Sequence, residues 1–84
     1  MVANNLLTEY RKLGVTISEI MAIPPGNRTS AKSCCATERA KQCARDIIFF
    51  REDYYSLGRK WGVSDERIRN DVEMILQIIK DRRK

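Results

Sequence analysis

Ile68, Val72, Ile75, Leu76 and Ile79 recur at intervals of three and four residues near the C-terminal end of the chain. A helix advances about 100° per residue, so these side chains share one face and form an apolar stripe that must be shielded from water. Ser64 precedes the stripe as a good helix cap, and Asp65 and Glu66 put negative charge at the positive end of the helix dipole. The spacing predicts a long last helix. No segment alternates with period two, so the elements that cover the stripe are expected to be helical too. A chain of 84 residues has room for one domain around one small core. The expected fold class is all-α, a single domain over 1–84 with four to five helices.

Leu6, Leu7, Tyr10 and Leu13 have helical spacing over 4–13, and Gly14 stands where a left-handed cap belongs. Thr16-Ile17-Ser18-Glu19 is a capping box, with Val15 and Ile20 at the staple positions on either side, and it opens a short helix. Together these predict an N-terminal helix pair over 4–23. Pro24-Pro25-Gly26-Asn27 ends the pair and begins a loop over 24–32. A central helix is expected over 33–51. Its core face would carry Ala36, Ala40, Cys43, Ala44, Ile47 and Ile48, with Glu38, Lys41, Arg45 and Asp46 toward solvent. Residues 54–80 then hold two helices separated by Gly62-Val63-Ser64.

Composition narrows the function. The chain has no histidine, which excludes Ser-His-Asp and Cys-His catalytic arrangements and any histidine metal ligand. Gly14, Gly26, Gly58 and Gly62 are dispersed and form no phosphate-cradling loop. With so small a chain around them, these absences predict neither an enzyme nor a cofactor. Cys34, Cys35 and Cys43 are odd in number and lack the paired spacing of a zinc site, so no metal is expected and buried thiols are. The longest apolar run, Ile47-Ile48-Phe49-Phe50, falls far short of the roughly 18 residues a membrane span needs. The residues after Met1 show no signal-peptide pattern, and a cytoplasmic location is expected. Sixteen Lys and Arg against 11 Asp and Glu give a net charge of +5 and a pI near 9.4. Such a balance fits a nucleic-acid binder, or a small protein kept soluble by its charge.

The motif in 54–72 favours the first. Leu57, Gly58, Trp61, Gly62, Val63, Ser64 and Ile68 stand at the offsets of a helix-turn-helix: apolar residue, small residue, bulky closing residue, turn glycine, buried turn residue, cap and core residue. The run Gly-Val-Ser-x-x-x-Ile-Arg-x-Asp-Val resembles the helix-turn-helix of bacterial and phage transcriptional regulators, and most of all the DeoR-type repressors. No β-hairpin signal follows it, so the wing of those repressors is absent; small phage transcription activators and sigma-factor region 4 are similar in layout. Gly58 also departs from the more usual alanine, at a cost in helix propensity of about 1 kcal/mol. The resemblance implies binding of double-stranded DNA by the last helix, in the major groove.

With Ile68 directed to the core, Glu66, Asn70 and Glu73 face away from it, flanked by Arg67 and Arg69. Arg suits guanine, Asn adenine and Glu cytosine in a major groove, so Glu66, Arg67, Arg69 and Asn70 are the candidates for base contact. Ser64, Arg59 and Lys60 suit phosphates. The alternative for the arginines is surface pairing, Arg67 with Asp71 and Arg69 with Glu73. Lys80-Asp81-Arg82-Arg83-Lys84 is read as a frayed, solvated tail. Trp61 is expected to be largely buried beside Val63 and Ile68. Met74, Ile75, Ile78 and Ile79 widen the apolar arc of the last helix, which either the N-terminal helix pair or a second copy of the chain would cover. The sequence thus supports a small transcriptional regulator. Its rivals are a non-regulatory DNA-binding protein of phage or plasmid type and a helical module that uses its last helix on a protein partner.

Overall fold

The computed structural model describes residues 2–26 and 35–83, and the side chains of 6–26 and 35–83. Its order is α1 (Val2–Leu13), α2 (Ile17–Met21), α3 (Glu38–Phe49), α4 (Tyr54–Trp61) and α5 (Asp65–Arg82). Among the described residues there is no strand beyond an isolated bridge between Pro25 and Ala36. The fold is all-α, with five helices among the described residues. None of them is long and apolar enough to cross a membrane.

The caps explain most boundaries. The Thr16 hydroxyl accepts the Glu19 N–H at 3.1 Å, and Val15 and Ile20 are both buried beside that start. Asp53 receives the Ser56 N–H at 2.6 Å, which holds its carboxyl below the usual carboxylate range. Ser64 receives the Arg67 N–H at 3.1 Å and opens α5. Gly62 closes α4 in the left-handed conformation, φ 71°, which costs a glycine little.

The central helix departs from expectation at its start. It begins at Glu38 rather than 33, because the backbone of Ala36 is held extended: its N–H donates to Pro24 and its carbonyl accepts from Gly26, both at 3.0 Å. Thr37 is the cap, its hydroxyl accepting the Ala40 N–H. The loop expected over 24–32 is seen at 24–26 only, and its remainder lies outside the described residues, as does Cys34. Ala36, Ala40, Cys43, Ala44 and Ile48 are buried as expected, while Ile47 is half-buried. Lys41 and Asp46, assigned to solvent, are buried instead. Each keeps an ionic neighbour: Lys41 Nζ lies 4.0 Å from Glu38, and Asp46 accepts from Arg45 Nε at 3.2 Å.

The core has two parts, joined through α5. The larger draws Tyr10, Ile20, Ala40, Ala44 and Ile48 together with Val72, Ile75, Leu76, Ile78 and Ile79. The smaller is Cys43, Leu57 and Ile68, edged by Ile47, Tyr54, Trp61 and Val63. Burial pushes the Cys43 thiol up to about 11, so at neutral pH it is a small hydrophobe and not a nucleophile. Trp61 is only half-buried, against the expectation, because it covers the edge of the smaller cluster from one side. Its indole N–H is nonetheless enclosed, with no partner among the described residues.

The return of α5 across the first helices has two consequences. Of the two covers expected for the wide apolar arc the chain's own helices supply one: Ile75, Ile78 and Ile79 are buried within the chain and Met74 is half-buried against the same core. The basic C-terminal segment is docked rather than frayed as far as Arg83. Lys80 Nζ meets Glu9 at 2.9 Å, and Arg83 reaches Glu19 at 2.6 Å and the carbonyl of Leu13. Lys80 and Arg83 hold Glu9 and Glu19 below the usual carboxylate range. Deeper in, the Tyr10 hydroxyl donates to the Val72 carbonyl at 2.7 Å, and burial raises its pKa.

Candidate nucleic-acid interface

The pose of α5 is set by a close approach at the turn. A Cβ at Gly58 would lie 2.7 Å from the Val63 carbonyl oxygen, nearer than real Cβ atoms come. The turn 62–64 therefore rests directly on the backbone of α4, and the absent side chain of Gly58 lets it do so. Alanine, usual in the resembling motif, would push the turn away. Leu57 and Ile68 are buried beneath this contact. Together they fix how the first half of α5 projects.

On that first half, Glu66, Arg67 and Asn70 are exposed, and Glu73 follows on the same side. Arg69 is half-buried and lies 3.6 Å from Glu73, so this surface pair forms. The pair considered for Arg67 does not. Asp71 is buried and accepts from Arg39 of α3 at 2.9 Å, which leaves Arg67 on the open face.

Ser64 is exposed; since its oxygen serves the Arg67 N–H, its hydroxyl proton remains free to donate. Arg59 and Lys60 are exposed on α4, where the Arg59 guanidinium lies 5.9 Å from the centre of the Tyr55 ring. The ring stays largely in water, at 65 % exposure, and offers Arg59 a flat face that does not consume its hydrogen-bond donors.

Two residues not among the sequence candidates for DNA contact belong to the same surface. Tyr54 and Asp65 join Glu66 and Arg69 around a depression of about 350 Å³ beside the start of α5. Burial raises the Tyr54 phenol, with Arg69 opposing and Glu73 reinforcing the shift, so its O–H is a donor at neutral pH. Asp65 is readable as a first-turn acid, but Tyr54 has no local signal, since only the folding of α4 against α5 brings it there. Among the described residues no group of Cys, Asp and Glu is placed to hold a metal ion.

No known protein family matches this chain, and neither does any curated protein or solved structure.

Proposed function

We propose that this protein binds double-stranded DNA sequence-specifically, as a small transcriptional regulator that places the first half of α5 in the major groove. The observation that carries the reading is the open face of Glu66, Arg67 and Asn70 on a helix whose pose is fixed by the Gly58–Val63 contact. Asn70 has the donor and acceptor adenine requires, Arg67 the paired donors for guanine, and Glu66 an acceptor for the cytosine amino group. Arg69 would leave Glu73, an exposed pairing of little cost, to reach a base. Ser64 at the start of α5 and the exposed Arg59 and Lys60 on α4 would hold phosphates, which set register rather than sequence. The role is one of binding, without cofactor or catalysis. The rival reading, a module that offers its last helix to a protein partner, loses its apolar surface to the core.

Selection from random duplexes, followed by titration of variants, tests the proposal. Asn70→Ala and Arg67→Ala are each expected to cost about 1–3 kcal/mol on the selected sequence and to relax preference at one position. Lys60→Ala should weaken all sequences alike and lower the salt slope by about one. As these side chains are exposed, folding stability should move by less than about 0.5 kcal/mol. A selection that yields no enriched sequence, or three variants with the same uniform loss, would overturn the reading.

A further inference from the structure

α1, the residues after it and the end of α3 border an open depression of about 420 Å³. Its walls are Tyr10, Val15, Ile48 and Phe49, and two arginines, Arg11 and Arg51, stand at it. The volume is within the range of small-molecule sites, which run from roughly 300 to 1,000 Å³. Among the described residues no carboxylate lines it. Both arginines are exposed, and neither has an ion-pair or hydrogen-bond partner for its guanidinium among the described residues. By contrast Arg39, Arg45, Arg69 and Arg83 are each paired with an acid.

The end of α3 places Arg51 at this depression. Arg51 has φ 59°, the one residue other than glycine with positive φ among the described residues. It lies just past the C-terminal cap of α3, where the Glu52 N–H turns back to the Asp46 carbonyl at 3.0 Å, so this left-handed backbone belongs to the helix end. That turn brings Arg51 to the same depression as Arg11.

We propose that this depression binds a small organic anion, with its carboxylate, phosphate or sulfonate head on Arg11 and Arg51 and its flat apolar body against Val15, Ile48, Phe49 and the Tyr10 ring. The bound ligand would touch Tyr10, whose hydroxyl holds the Val72 carbonyl, and so would lie one side chain away from α5. This inference does not depend on the DNA reading.

Anilinonaphthalene sulfonate, an anion with a flat apolar body, is the probe, and N-phenylnaphthylamine is the same body without the charge. Fluorescence titration of the folded protein should show the sulfonate binding at one site per chain and weakening with salt. Arg11→Gln and Arg51→Asn should each lower its affinity about tenfold, the loss expected for one charge-assisted hydrogen bond. Asparagine tolerates the backbone at 51, so that variant keeps the fold. Lys12→Gln, which removes an equal charge from an exposed site on α1, should leave binding unchanged. The neutral probe should not distinguish the arginine variants from the parent. The proposal fails if the sulfonate does not bind, if Lys12→Gln weakens it as much, or if the neutral probe loses affinity in parallel. It also fails if the arginine variants bind the sulfonate normally while losing duplex affinity and salt slope, since the arginines would then serve the DNA backbone.

Discussion

The two halves of α5 are one continuous helix in two different surroundings. The first half rests on a small cluster, Cys43, Leu57 and Ile68, and turns Glu66, Arg67 and Asn70 to water. The second half is enclosed by the larger core, and Lys80 on it and Arg83 at its C-terminal cap are held by Glu9 and Glu19. The first half, 65–73, carries four acids against two arginines, and the second, 74–82, carries Lys80 and Arg82 against Asp81, so the positive excess lies on the half that packs. Cations in the second half tie the ends of helices together, whereas those beside the first half remain on an open face. A formal +5 is therefore a weak guide to where a basic protein meets its partner.

Substitutions can break this contrast. Ile75 is fully buried in the larger core, and Ile75→Ala should cost about 2–5 kcal/mol in a denaturant titration, a large share of a small domain's stability. Gly58→Ala comes next. Alanine gains about 1 kcal/mol of helix propensity, yet its Cβ would meet the Val63 carbonyl, and the net is expected to be a loss of about 1–2 kcal/mol. A stabilised Gly58→Ala variant would show that the turn can shift freely, and the fixed pose of the first half would be lost with it. Tyr10→Phe removes a donor from a carbonyl that already serves the helix, so about 1 kcal/mol should go, with duplex binding unchanged.

The smallest effect is in acid. Glu9 and Glu19 have folded-state values below their ordinary one of 4.5, so the stability they confer is complete above it and is lost as pH falls through the depressed values. Denaturation midpoints should therefore fall between pH 5 and pH 3, and Glu19→Gln should flatten part of that fall. The sites are exposed, so the change should be modest. Equal pH dependence in parent and variant would mean that Arg83 is not anchored by Glu19.

What was legible in the sequence follows the range of the interaction. The caps at Thr16 and Ser64 and the turn at Gly62 act within a few residues, and the boundaries they predict are observed. The start of α3 was not legible, because the backbone of Ala36 is committed to Pro24 and Gly26 across a loop. Nor was the docking of Lys80 and Arg83, whose partners are on the first two helices. Lys41 and Asp46 look like surface residues by type, and their burial depends on what packs over α3. In the candidate interface the open face of α5 was legible from helical geometry alone. The Arg39–Asp71 bond that leaves Arg67 unpaired was not, since α3 supplies it.

The hydrogen bond from Tyr10 to Val72 joins residues 62 positions apart, and Glu19 and Arg83 are separated by 64. A ribosome adds about 5–20 residues per second, so the side of α1 that bears Tyr10 would wait roughly 3–12 s after synthesis for its acceptor. During that interval Tyr10, Ile20 and Ile23 have none of α5 to pack on, and two short helices are marginal alone in water. The N-terminal helices are thus made first and completed last. Their apolar residues are the ones a chaperone would meet on the nascent chain.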